Sequence, residues 1–122
     1  MTEINMLEAI RQAMDEELAA DENVIILGSD VGLSGGVFRT TEGLQEKYGS
    51  ERVIDSPLSG AAVVGVGIGA AVYGLRPICE IQFADFIHQT INMNCFRRPI
   101  VNQEFNVVRE YVHINFLPED YR

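Results

Sequence analysis

The sequence predicts an α/β fold of three layers, in which a mostly parallel sheet carries helices on both faces. Three observations support this prediction. Helical and strand-like patterns alternate along the chain, the apolar runs are short enough to be buried strands, and the segments between them have helical spacing. A chain of 122 residues is long enough to form one domain with a real core.

Two helices and one strand are predicted in the first half of the chain. The strand is expected at 24–27, where the apolar run VIIL stops at Gly28. A short helix is expected to open at Thr41 and to close at Gly49, after a glycine-rich loop. An amphipathic helix of about four turns is predicted ahead of the strand from apolar residues at helical spacing: Met6, Leu7, Ile10, Met14 and Leu18.

Two further strands, at 53–55 and 77–82, flank a segment rich in glycine and alanine. This segment reads SGAAVVGVGIGAAVYG and carries no charge. It is predicted to be a buried helix over 59–73, which stops at Gly74 in the left-handed conformation.

The glycines inside this predicted helix indicate a close contact. Each one lowers helix stability by about 1 kcal/mol relative to alanine, so several together need a packing reason. Gly65, Gly69 and Tyr73 fall on one stripe of the helix. We expect Gly65 and Gly69 to form an interface with the sheet or with a partner chain.

Two other interpretations of the glycine segment stay open at this point. The spacing Gly65-x-Gly67-x-x-Ala70 matches the dinucleotide-binding fingerprint, which requires a strand just before it and a helix after it. The uncharged stretch 56–75 has the glycine spacing of packed membrane helices, but glycine and alanine give it a poor transfer free energy. A small nucleotide-binding protein is therefore an alternative function, whereas a membrane span is disfavoured.

The charge of the chain bears on its partners and location. Nine Lys and Arg residues against 18 Asp and Glu residues give a net charge of −9, which disfavours nucleic acid and anionic membranes as partners. The N-terminal segment is acidic from Glu3 onward and lacks the pattern of a secretory signal or a transit peptide, so a cytoplasmic location is predicted. Cys79 and Cys95 are predicted to be reduced thiols rather than part of a disulfide framework or a zinc site.

One family is resembled by several stretches of the chain taken together. Three stretches resemble segments that occur in the same order in the beta subunits of thiamine-diphosphate-dependent 2-oxo acid dehydrogenases, of the pyruvate and branched-chain types. These stretches are GGVFRTTEGLQEKYG, RVIDSPLSGAAVVGVGIGAAVYGLRP and EIQFADF. The resemblance covers residues 6–92. It implies a transketolase-like pyrimidine-binding domain over 1–94, a divergent segment over 95–122, and a truncated chain whose fold is incomplete at its C-terminus.

The resemblance also implies an activity, a cofactor and partners. The family decarboxylates a 2-oxo acid oxidatively with thiamine diphosphate and passes the acyl group to a lipoyl acyltransferase core. An alpha subunit holds the diphosphate and the magnesium, and a second beta subunit joins the assembly. This chain contains no Gly-Asp-Gly motif, so we expect no metal site of its own.

Individual site residues follow from the same resemblance. Gln82 and Phe86 stand where the family packs the pyrimidine ring, although Phe86 at helical spacing equally fits a core residue. Leu58 and Ser29 lie in the adjoining loops, and Ser29 replaces an acidic residue of the family. Gly60 stands in place of the glutamate that hydrogen-bonds the aminopyrimidine and activates the cofactor.

These departures leave no catalytic side chain intact in the motif. They imply an impaired enzyme subunit that is inactive as an isolated chain. The alternative is a non-catalytic assembly module or a relic of the same fold.

Other polar residues receive structural interpretations. Glu80 is expected to make a structural bond at the end of a strand, and Asp85 to cap a helix. Asp30 and Asp55 are expected to cap or brace loops. His88 is expected to be solvated.

Overall fold

A computed structural model describes residues 4–83 and residue 86 of the chain. Helices and strands alternate in the predicted order over this range. They are α1 (Met6–Ala20), β1 (Val24–Gly28), α2 (Leu44–Tyr48), β2 (Val53–Asp55), α3 (Gly60–Val72) and β3 (Arg76–Cys79). The predicted boundary at 94 and the segment 95–122 lie outside the described residues.

The three strands form one parallel sheet with β1 in its centre, in the order β2-β1-β3. Ile26 of β1 pairs with Val53 on one side and with Ile78 on the other. Successive residues of a strand point to opposite faces, and all five residues of β1 are buried, so both faces of the sheet are covered.

Each face of the sheet has its own apolar cluster. On the first face, residues of α1, α2 and the loop after β1 pack on the strands: Met14, Leu18, Val24, Ile26, Val31, Leu44, Val53 and Ile78. On the second face, α3 packs on the strands and on the residues after β3: Ile25, Leu27, Val63, Val64, Ile68, Cys79 and Ile81. The predicted arrangement of helices on both faces is confirmed.

α1 is the amphipathic helix that the sequence predicts, and a capping box fixes its start. Asn5 Oδ1 accepts a 2.9 Å hydrogen bond from the backbone N–H of Glu8, and the Glu8 carboxylate accepts one from Asn5 at 3.2 Å. Further along α1, the carboxylate of Asp15 joins this helix to α2. Its Oδ1 accepts hydrogen bonds of 2.7 Å from the Lys47 ammonium and from the Tyr48 hydroxyl.

α2 begins at Leu44 rather than at Thr41, where the sequence predicted its start. The Thr41 hydroxyl donates a buried 2.7 Å hydrogen bond to the carbonyl of Val31, so this side chain holds the preceding loop and does not cap the helix. Gly43 then takes a left-handed conformation with φ of 79°, which breaks any earlier helical turn.

β3 also differs from its predicted bounds, because it ends at Cys79 and not at Gln82. Its central neighbour β1 ends at Gly28. The last backbone hydrogen bond between the two segments runs from the N–H of Glu80 to the carbonyl of Leu27, at 2.8 Å. Since β1 ends one residue later, it offers the residues after Glu80 no further strand to pair with.

α3 forms where the sequence predicts it, with Ser59 as its N-cap and Gly74 left-handed at φ of 97° after its end. The contact that needs a glycine is at Gly67, because a Cβ there would overlap the Sγ of Cys79 in β3. A Cβ at Gly69 would meet nothing within 4 Å. Over residues 4–83, no helix is both long and apolar enough to cross a membrane.

Candidate functional site

The carboxyl ends of β1 and β3 meet the beginning of α3 at one edge of the sheet. Ser29 follows β1, Gln82 lies shortly after β3, and Gly60 opens α3. In open parallel sheets, ligands bind at the carboxyl ends of the strands, at the point where the chain connections lead to opposite sides of a central strand. A small cavity lies at this point of the structure.

The cavity brings together all the residues that the sequence assigned to a cofactor: Ser29, Leu58, Gly60, Gln82 and Phe86. Three other residues complete its described lining: Val63, Glu80 and Ile81. Its volume is about 10 Å³, which is room for roughly one water molecule. The described residues therefore offer one side of a ligand site and do not enclose an aromatic ring by themselves.

Ser29 connects three segments around the cavity. Its backbone carbonyl accepts a buried 3.0 Å hydrogen bond from Nε2 of Gln82. Its hydroxyl donates to the carbonyl of Pro57 at 3.3 Å, in the loop before α3. Through these two bonds, Ser29 holds the segment after β3 and the loop before α3 in place around the cavity.

Phe86 packs as a core residue and also borders the cavity, and its contact with a pyrimidine ring stays a prediction. It is partly buried against the apolar cluster beneath α3. Its ring meets Phe83 edge-on with centroids 5.8 Å apart, and Phe83 meets Phe38 in the same way at 5.9 Å. This aromatic row ties the loop after β1 to the apolar side of the site.

Gly60 leaves the cavity without a side chain at the first residue of α3. A Cβ built there would lie 3.3 Å from the carbonyl oxygen of Phe86 and 3.7 Å from Cδ1 of Ile81. The backbone of Gly60 is helical, so a larger residue fits its conformation and needs only a small shift of Phe86.

Glu80 is the acid of the cavity lining. Only 7% of the residue is exposed, and neither carboxylate oxygen has a hydrogen-bond partner among the described residues. The structural bond expected from the sequence is therefore absent from this part of the chain. Burial raises the pKa of the Glu80 carboxyl from 4.5 to about 7.

A signal for Glu80 exists in the sequence. It is the single charged residue in the run PICEIQF, and its neighbours Cys79 and Ile81 are apolar. A charge inside a buried strand run is rare unless it is paired, and this alone marks the position for attention.

The side chain of Asp55 braces the loop after β1, as the sequence predicts, whereas Asp30 contributes through its backbone. Asp55 Oδ1, at the end of β2, accepts a 2.7 Å hydrogen bond from the backbone N–H of Gly32. The carbonyl of Asp30 accepts from Gly36 N at 2.6 Å, and Asp30 itself has a φ of 59°. These contacts hold the loop that carries Ser29 over the end of the sheet.

The predicted interface residues lie on α3. Gly69 is exposed, and Gly65 is half-buried. Beside them, the outer side of α3 is apolar, with 60% of Val66 and 94% of Tyr73 exposed. The sheet contact of the helix is made by Gly67, so any role of Gly65 and Gly69 concerns a surface outside the described residues.

Thiol and metal chemistry find no support in the described part of the chain. Cys79 is a free, buried thiol, and burial raises its pKa to about 11, which keeps it protonated and unreactive. Residues 4–83 contain no group of three His, Cys, Asp or Glu side chains that would hold a metal ion. Asp85, His88 and Cys95 lie outside the described residues.

A family model described as "Transketolase, pyrimidine binding domain" matches residues 2–114. The chain belongs to this family. The pyrimidine-binding domain so defined includes the cavity and every element around it.

Two kinds of curated protein are similar to this pyrimidine-binding domain. The 2-oxoisovalerate dehydrogenase subunit beta of Bacillus subtilis is 54% identical over 92 residues, which are 75% of this chain and 28% of the relative. The pyruvate dehydrogenase E1 component subunit beta of Mycoplasma genitalium is 54% identical over 84 residues, 69% of this chain and 26% of the relative. The chain thus spans about a quarter of the length of these relatives.

The lining of the cavity combines apolar side chains with one acid. A pyrimidine has flat apolar faces and a polar edge. Leu58 and Phe86 offer apolar contact, and Glu80 offers a carboxyl with no partner among the described residues. One N–H of the Gln82 amide is used by the carbonyl of Ser29, whereas neither oxygen of Glu80 has a partner among the described residues.

Proposed function

We propose that this chain is the pyrimidine-binding part of a beta subunit of a thiamine-diphosphate-dependent 2-oxo acid dehydrogenase, which decarboxylates pyruvate or a branched-chain 2-oxo acid. The observation that carries the proposal is the cavity at the strand ends. Residues from four separate segments, before and after α3, meet there, at the edge of the sheet where parallel folds bind ligands. The similarity to dehydrogenase beta subunits at more than half identity supports the same reading.

The size of the cavity argues for a site shared between subunits. A volume of about 10 Å³ does not hold a ring, so the described residues supply at most one wall of a cofactor site. We propose that an alpha subunit provides the facing wall together with the diphosphate and magnesium site. A second beta subunit and a lipoyl acyltransferase core are the further partners, and a cytoplasmic location stays a prediction.

The contribution of this chain to the reaction is binding and orientation. Thiamine diphosphate, when bound, supplies the carbon nucleophile that a 2-oxo acid decarboxylation needs. Leu58 and Phe86 provide apolar contact to the pyrimidine and exclude water from its faces. The bonds of Ser29 to Gln82 and Pro57 keep the three segments of the site in register.

The residue at position 60 determines how fast a decarboxylation we expect from this chain. Gly60 brings no carboxyl to the pyrimidine, whereas a positioned proton-transfer group contributes about 10²–10⁴ in rate. We therefore expect this chain to support decarboxylation weakly.

A non-catalytic assembly module is the second candidate function. It is favoured by Gly60, which removes a proton-transfer group, and by the exposed apolar side of α3 around Val66 and Tyr73, which suits a partner surface. A nucleotide site at 65–70 is not supported. These residues lie inside α3, where their amides are used by the helix, and no strand precedes them directly.

Reconstitution tests the proposal. The chain is combined with the alpha subunit of the Bacillus subtilis 2-oxoisovalerate dehydrogenase, and thiamine diphosphate binding is measured by calorimetry. Decarboxylation is then measured in a chimaeric beta subunit that carries residues 1–83 of this chain, with and without Gly60→Glu. Cofactor binding, with weak activity that rises at least about 100-fold in Gly60→Glu, is the expected result.

The other outcomes have distinct meanings. A complex that forms but binds no thiamine diphosphate contradicts the dehydrogenase proposal and leaves the assembly module. Full activity of the unaltered chimaera, unchanged by Gly60→Glu, contradicts the role given to position 60. As a control, Glu22→Gln alters an exposed residue between α1 and β1 and is expected to leave cofactor binding unchanged.

A further inference from the structure

Glu80 is a buried acid with no satisfied oxygen in the described part of the chain. Only 7% of it is exposed, and both Oε atoms lack a hydrogen-bond partner there. Buried polar side chains in native proteins are nearly always hydrogen-bonded, and an unpaired one usually marks a catalytic group or a missing partner. A partner for the Glu80 carboxyl therefore has to come from outside residues 4–83 and 86.

The place of Glu80 in the fold makes it available to a ligand. β3 has ended at Cys79, and Glu80 lines the cavity at the carboxyl edge of the sheet. The Cβ of Glu80 lies close to Gly28, and a Cβ added at Gly28 would lie only 2.9 Å from it. The glycine at the end of β1 thus makes the room that Glu80 occupies.

Among the residues that the structure describes, none beside Glu80 carries a compensating charge. None of the other described residues that line the cavity is titratable, and burial alone accounts for its raised pKa of about 7. Gly28 and Val31, on the far side of the carboxyl stem, are likewise uncharged. At neutral pH the group therefore exchanges a proton readily and can either donate or accept a hydrogen bond.

The same cavity contains Gly60, the position from which no side chain reaches the ligand. We propose that the Glu80 carboxyl, rather than a side chain at position 60, is the hydrogen-bonding group that this chain offers to the pyrimidine ring of thiamine diphosphate; this inference rests on the proposed function. One proton is then shared between Oε of Glu80 and a ring nitrogen, and no bond between heavier atoms forms or breaks.

Proton linkage gives this arrangement a measurable signature. A shared proton has to be taken up when the ligand binds at a pH above the pKa of free Glu80. The dissociation constant should then rise about tenfold for each pH unit above about 7, and the rise should vanish when residue 80 cannot titrate.

The experiment measures thiamine diphosphate binding by calorimetry, with magnesium, to the complex of this chain with the Bacillus subtilis alpha subunit between about pH 6 and pH 8.5. Three forms are compared: the unaltered chain, Glu80→Gln and Glu22→Gln. Glu22 is an exposed glutamate between α1 and β1 and serves as the matched control. Titration of the cofactor's own phosphates affects all three forms equally and cancels in the comparison.

The expected result is a dissociation constant that rises with pH for the unaltered chain and for Glu22→Gln, and a slope lower by about one log unit per pH unit for Glu80→Gln. Equal slopes in all three forms overturn the inference while the proposed function stands. No binding by the unaltered complex overturns the proposed function, and this inference with it.

A second measurement avoids the variant, in case Glu80→Gln does not fold. Carbon NMR of the chain with labelled glutamate follows the Glu80 carboxyl through its titration, with and without thiamine diphosphate in the complex. We expect the midpoint to move by about one pH unit or more on binding. An unmoved midpoint means that only water meets the carboxyl, and it overturns the inference.

Discussion

The side-chain amide of Gln82 donates a 3.0 Å hydrogen bond to the backbone carbonyl of Ser29, and so ties the segment after β3 to the end of β1. Both residues are buried. The bond spans the edge of the sheet at which the cavity lies, so it fixes the relative position of two segments that line the cavity.

Loss of this bond should destabilise the domain. In Gln82→Leu the side chain keeps its bulk, but the buried carbonyl of Ser29 loses its donor, which costs about 1–3 kcal/mol. Urea denaturation measures the difference in the free energy of unfolding. Gln12→Leu changes an exposed glutamine of α1 and should stay within about 0.5 kcal/mol of the unaltered chain. Equal stabilities of the two variants would show that the Gln82 bond is not formed.

Glu80 should make the stability of the domain depend on pH. Its pKa is about 7 in the folded chain and 4.5 as an ordinary glutamate, so between these values the unfolded chain releases a proton that the folded chain keeps. Stability is therefore highest below about pH 4.5 as far as this group is concerned, and it falls as the pH rises to about 7. The loss is on the order of 2 kcal/mol.

Denaturation midpoints at pH 5 and pH 7.5 measure this dependence. Glu80→Gln should remove most of the difference, because an amide does not titrate, and Glu22→Gln should retain it. A difference of the same size in Glu80→Gln would assign the pH dependence to other groups.

Two glycines of α3 should respond oppositely to the same substitution. A Cβ at Gly67 overlaps Cys79 Sγ, so Gly67→Ala forces helix and strand apart and costs about 1–3 kcal/mol. A Cβ at Gly69 meets open space, so Gly69→Ala gains helix propensity and stabilises the domain by up to about 1 kcal/mol. Thermal unfolding of the two variants measures the pair. A destabilised Gly69→Ala would mean that this glycine is in contact with another surface.

The outer side of α3 should cause self-association of the chain. Val66 and Tyr73 lie on one stripe and are largely exposed, and burying apolar surface of this kind favours association. Val66→Lys should shift the sedimentation coefficient towards that of the monomer. Leu33→Lys, which changes an exposed leucine of the loop after β1, should not. The idea fails if the unaltered chain is already a monomer at high concentration.

The fold was largely predictable, because its signals are local. Val24 to Leu27 is a continuous apolar run that a glycine ends, and it forms the central strand. The predicted start of α2 and the predicted end of β3 were wrong because both depend on residues that are distant in the sequence. Thr41 bonds the carbonyl of Val31 and not the helix that follows it, and β3 stops where β1 stops.

The sequence predicted which residues would lie close together, but not the contacts that they make. Resemblance to a family brought Ser29, Gln82 and Phe86 together, and the structure places them around one cavity. α3 is apolar on all sides, so its sequence has no period that shows which glycine faces the sheet, and Gly67 could not be distinguished from Gly69. For Glu80, the lack of a partner is a property of the surrounding space and has no local pattern.

The strand order affects how the chain folds as it leaves the ribosome. β1 pairs with β2 early, but its other edge waits for β3, which is made only after the whole of α3 has emerged. Until then the uncharged helix has neither Cys79 to receive Gly67 nor a complete sheet to cover. A nascent chain in which α3 has emerged from the ribosome and Arg76–Cys79 has not therefore exposes an uncharged apolar segment, and chaperone binding would protect the growing protein during this interval.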